Sequence, residues 1–68
     1  MEKKTYTIVG FTDLTKMADF FKEDIKTMEE VENIINTIKN DNYKHIVIRK
    51  ETEEYGVEIS TVIKVLKF

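Results

Sequence analysis

Apolar and polar residues alternate along KTYTIVGF, residues 4–11, and this two-residue period predicts a strand. Tyr6, Ile8 and Gly10 fall on one face of it, and Thr5, Thr7, Val9 and Phe11 on the other. Further along the period changes. Met28, Val31, Ile34, Ile35 and Ile38 recur at helical spacing and make one apolar stripe. Thr27 stands at the N-cap position with Glu30 three residues later, a capping box in which each side chain satisfies a backbone donor of the first turn. Glu29 and Glu30 suit the positive end of the helix dipole. Asn40, Asp41 and Asn42 tolerate the turn and left-handed backbone that would end the helix. The pattern predicts a helix over 28–40.

Residues 45–60, HIVIRKETEEYGVEIS, predict a hairpin. Ile46, Val47 and Ile48 precede a loop, ETEEYG, in which Gly56 supplies flexible backbone, and Val57 and Ile59 follow it. Setting Ile48 opposite Ile59 brings Arg49 opposite Glu58, Val47 opposite Ser60 and His45 opposite Val62. The tail TVIKVLKF prolongs the last strand, with Ile63 and Val65 turned inward, or alternatively forms a short terminal helix through Val62, Val65 and Leu66.

The stretch between these elements, TDLTKMADFFKEDIK over 12–26, fits two patterns. Leu14, Met17, Ala18, Phe21 and Ile25 share a helical stripe behind a cap at Thr12. Alternatively 12–17 is a loop and 18–26 a strand. The helix is preferred, because an extended Lys22–Glu23–Asp24 puts charge on both faces. The expected fold is a small α+β domain spanning 1–68. Its antiparallel sheet has three strands, or four if 12–26 is extended, with the 28–40 helix packed on one face. The leading order is β-α-α-β-β, and the alternative is β-β-α-β-β.

Composition narrows the class. Sixty-eight residues make one domain, near the size at which a chain barely buries enough apolar surface to fold alone. With no cysteine and one histidine, neither disulfides nor a zinc site staple it. One compact core carries the stability, and the short length favours self-association or a partner. The net charge of −2 hides blocks: residues 23–32 carry −4, residues 39–50 carry +3 and residues 51–58 carry −4. This is neither the one-sided basic patch of a nucleic-acid binder nor a uniformly acidic mimic of a duplex. No apolar run approaches the roughly 18–20 residues of a membrane span, and no secretory signal opens the chain. A cytoplasmic protein without a membrane partner is expected.

Catalytic signals are absent from the sequence. There is no Cys–His pair, no glycine-flanked serine and no glycine-rich phosphate loop. His45 reads as a half-buried strand residue rather than a general base. The carboxylates of EDIKTMEEVE and ETEE read as a helix start and a loop tip, in water. No enzyme, no cofactor and no metal are expected.

The expected binding surface is the sheet face opposite the helix. Tyr43, His45, Val47, Arg49 and Val62 would gather there, β-branched residues beside an aromatic and a cation. The expected function is a small non-catalytic protein-binding module: an inhibitor, an adaptor or a self-associating accessory protein with homodimerisation as one form. Its Lys-, Ile- and Glu-rich, staple-free composition resembles small accessory proteins of bacteria or their phages, for which a host protein such as a defence nuclease is the natural target. The alternative is a nucleic-acid-binding regulator using the strand at 43–50, where Lys44, His45, Arg49 and Lys50 cluster beside Tyr43. Nearby Glu51, Glu53 and Glu54 disfavour it by repelling phosphate.

Overall fold

A computed structural model describes residues 3–68, with side chains from Lys4 onward. The elements are β1 (Lys3–Phe11), β2 (Phe20–Ile25), α1 (Met28–Ile38), β3 (His45–Glu54) and β4 (Val57–Lys67). Among the described residues they form one four-stranded antiparallel sheet in the order β2-β1-β3-β4, with a single helix. The chain is a thin slab, 39 × 26 × 15 Å.

The class is α+β, but the order is β-β-α-β-β in place of the leading expectation. No helix forms over 12–26. Residues 12–19 are a loop and 20–25 are strand β2. Local hydrogen bonds explain the loop, because they offer the backbone an alternative to helix. Asp13 Oδ1 accepts from the Thr15 N–H at 2.9 Å and from its hydroxyl at 2.7 Å. Asp19 Oδ2 accepts from the Thr12 N–H at 3.0 Å and from the Thr12 hydroxyl. The Asp19 N–H donates to Gly10 O at 2.9 Å and starts the β1–β2 ladder. Leu14 and Met17 are exposed, so their helical spacing met no core. Charges on both faces of β2 are tolerated because β2 is an edge strand.

Helix α1 has the expected Thr27 cap, though the described residues lack the return hydrogen bond from the Thr27 N–H to the Glu30 side chain. Thr27 Oγ1 accepts from the Glu30 N–H at 3.2 Å, and Val31 and Ile38 are buried. The helix ends at Ile38, two residues early, and Asn42 takes the left-handed backbone at φ 62°. Tyr6, Ile8, Ile25, Ile46 and Ile48 complete the core beneath it. The helix rests mainly on β1 and β2, and its side chains share a core with Ile46 and Ile48 at the start of β3. Among the described residues it is therefore β4 that has no second layer over most of its length.

Tyr43 closes one end of this core. A Cβ on Gly10 would sit 2.9 Å from two ring carbons of Tyr43. Gly10 lies on the helix face with Ile8, so the Tyr43 ring lies there too. It meets Phe20 edge-on, with centroids 6.1 Å apart and planes at 73°.

The second hairpin forms, with a different register. Tyr55 and Gly56 both have positive φ, 52° and 76°, as the two-residue type I′ turn requires. The expected loop ETEEYG is therefore mostly strand. Arg49 pairs with Val62, Glu51 with Ser60 and Glu53 with Glu58, in place of Arg49 with Glu58. The register shifts between Ile48↔Lys64 and Arg49↔Val62, which leaves Ile63 as the extra residue of a bulge. Ile59, Ile63 and Val65, expected in the core, are 41%, 42% and 43% exposed. They lie on β4, beyond the reach of α1.

Candidate functional site on the open face of the sheet

Alternation and register assign the face that α1 leaves open. Phe21, Val9, Val47 and Val65 make one cross-strand row through all four strands. Beside it run Thr7, Arg49 and Val62, then Thr5, Glu51 and Ser60, then Lys3, Glu53 and Glu58. On the other side of the apolar row lie Phe11, His45 and Lys67. The open face thus has an apolar band across its middle and an acidic end.

The acidic end is concave. Thr5, Thr7, Phe21, Glu23, Asp24, Arg49, Glu51, Thr52, Glu53 and Glu58 line a cleft of about 340 Å³. Thr5 and Thr7 of β1 form its floor. Glu23 and Asp24 of β2 rise on one side, and Glu51 and Glu53 of β3 on the other. A bulge places the β2 pair: Ile8 pairs with Lys22 and Tyr6 with Ile25, so Glu23 and Asp24 together face Thr7. Asp24 takes left-handed backbone there, φ 59°, which aspartate tolerates better than most residues. The bulge at Ile63 adjoins Arg49 across the sheet. Bulges re-aim side chains and gather beside functional sites.

Four of the five residues expected at the binding face share it. Val47, Arg49 and Val62 are central, and His45 lies half-buried at the far end. Tyr43 is on the helix side, over Gly10. The basic cluster of 43–50 does not form one surface, because Lys50 shares the parity of Ile48 and Arg49 opens into the acidic cleft. Glu23, Asp24, Glu51, Glu53 and Glu58 were not read as a site from the sequence. Two acidic blocks, each resembling a solvated segment, meet only because β1 pairs with both β2 and β3. Strand parity puts Glu51 and Glu53 on the face of Arg49, which was the one available signal.

Among the described residues no three His, Asp or Glu side chains converge closely enough to hold a metal ion. Glu51 also accepts from the Ser60 hydroxyl at 2.9 Å, which fixes one wall. No helix of the described residues is long and apolar enough to cross a membrane. No protein-family model, curated protein or solved structure matches the chain.

The two sheet edges differ in kind. β2 is six residues long, bulged and charged at Lys22, Glu23 and Asp24, which are the devices that blunt an edge. β4 is bulged too, at Ile63, but it is eleven residues long and exposed along nearly its whole length. Its charges are Glu58, Lys64 and Lys67, and Val57, Ile59, Val62, Ile63 and Val65 are all exposed.

Proposed function

We propose that the chain is a non-catalytic protein-binding module that self-associates through β4, pairing antiparallel with the same strand of a second copy. The contrast between the edges carries this reading. β4 offers a long row of backbone donors and acceptors, flanked on both sides by exposed β-branched residues that no layer covers. Ile59 lies on the helix side and Val62 on the open side, so an added strand gains apolar contact on each.

Charge favours a second copy in antiparallel orientation. Glu58 lies near one end of β4, and Lys64 and Lys67 near the other. A two-fold axis brings the acidic end of each strand beside the basic end of its partner. A parallel arrangement would set like charges together. Among the described residues the core has seven buried apolar residues, few for an independent fold, and pairing would bury apolar β4 side chains that the monomer leaves in water. The two open faces then lie on one side of a continuous sheet, so the acidic clefts are presented together.

Sedimentation equilibrium across a wide concentration range tests the reading. The chain should approach twice its 8.1 kDa mass, and Ile59→Lys with Val62→Lys, one charge on each side of β4, should return it to monomer. A wild-type chain that stays monomeric at millimolar concentration refutes it.

A further inference from the structure

We propose that the acidic cleft is a docking site for a basic segment of a partner protein, with an arginine side chain seated between the β2 and β3 walls. Among the described residues five carboxylates and one guanidinium line it, so the cleft favours a cationic guest. The strands flanking β1 are about 10 Å apart. That spacing brackets a side chain and is too wide for one ion, in keeping with the lack of convergent metal ligands among the described residues.

The floor points to a ligand independently of the charge. Thr5 and Thr7 are only 8% and 5% exposed, although no helix covers that face. Neither hydroxyl has a side-chain hydrogen bond to another described residue. No described side-chain oxygen is sealed away without a partner, so these hydroxyls are reached from the cleft. They are spare donors and acceptors, matched to the peptide groups of a segment lying along β1.

Phe21 selects arginine. It stands 62% exposed at the cleft rim, where a planar guanidinium can stack on its ring while donating to carboxylates on either side. Lysine reaches the same carboxylates as a point charge and stacks less well. Arg49 bounds the cleft toward the apolar band and repels the guest, so it limits how far the basic group can move. The inference stands whether or not β4 pairs, because every lining residue belongs to one chain.

The test is a nitrogen-15 amide-shift titration of the full chain at low ionic strength, on the order of 10 mM. Its probes are the capped peptide Gly-Arg-Gly-Arg-Gly, the lysine counterpart and spermidine. The arginine peptide should shift the amides of Thr5, Thr7, Glu23, Asp24 and Glu51, and bind about 2- to 5-fold tighter than the lysine peptide. Phe21→Leu should abolish that preference. Glu23→Gln with Glu53→Gln should weaken binding about 5-fold, the effect of two partly exposed charge pairs. Glu29→Gln with Glu32→Gln, on the helix, should leave it unchanged, and Arg49→Gln should tighten it. Absent shifts at the cleft, equal shifts along the helix carboxylates, or indifference to the cleft variants would each overturn the proposal. So would spermidine binding as tightly as the arginine peptide. Unchanged spectral dispersion in each variant separates lost binding from lost fold, and mass reports β4 pairing separately.

Discussion

Gly10→Ala probes the contact that holds Tyr43 on the core side of the sheet. An added methyl would lie 2.9 Å from two ring carbons of Tyr43 and 3.1 Å from Phe20 Cβ. Carbon atoms pack best at about 3.5–4.0 Å, so the ring must retreat by roughly 0.6–1 Å. The Phe20 side cannot give freely, because Phe20 belongs to β2 and packs edge-on against the same ring. Overpacking of this kind costs about 1–3 kcal/mol. Replacing glycine in a strand returns about 0.5–1 kcal/mol by restricting the unfolded chain. The expected net loss is about 0–2.5 kcal/mol, centred near about 1 kcal/mol, a Tm drop on the order of 4–8 °C at the centre of that range for a domain of this size. Urea titration followed by circular dichroism measures it. A double-mutant cycle makes the cause visible. In a Tyr43→Ala background the methyl has no ring to meet, and Gly10→Ala should be neutral or slightly stabilising. Equal effect in both backgrounds would refute the placement of Tyr43.

Other outcomes follow from the same geometry. Tyr55→Asn should stabilise the chain by about 0.5–1 kcal/mol, since Tyr55 is fully exposed at φ 52° and asparagine favours that backbone; a lower Tm would count against the turn assignment. Ile8→Ala should cost about 2–5 kcal/mol, because Ile8 is fully buried. Ile59→Ala should cost under about 1 kcal/mol at concentrations where the chain is monomeric, and comparable losses would mean that α1 covers more of the sheet than described. Asp19 has its pKa lowered, first by the Thr12 hydroxyl and then by the Thr12 N–H. Its contribution is therefore present above the ordinary value of 3.8 and lost as pH falls through the lowered one. NMR titration in Thr12→Val should move the Asp19 midpoint up, and an unmoved midpoint would remove the hydroxyl as the cause.

What the sequence disclosed depended on how local the causes were. Helix α1 was legible because its cap at Thr27 and its stripe through Val31 and Ile38 act within a few residues. The strands at 4–11 and 45–50 were legible because one face of each is buried, whereas 51–54 resembled part of the loop. Strand β2 was not, because the bulge at Glu23–Asp24 breaks its alternation and its edge position removes the penalty on exposed charge. The hairpin register was misjudged because tyrosine is an unusual first residue for a type I′ turn, so ETEEYG resembled a loop. Tyr43 was assigned by counting back along the strand, whereas it lies before β3 and folds over Gly10. Four residues of the open face were found by parity. The acidic cleft was not, because its walls come from segments far apart in sequence.

Self-association is tested most directly by the sedimentation equilibrium of the wild-type chain beside the Ile59→Lys, Val62→Lys variant. Self-association through β4 predicts a concentration-dependent rise to twice the chain mass, lost in the variant while its circular dichroism stays that of the folded monomer. A wild type that remains monomeric, or a variant that still doubles, contradicts it.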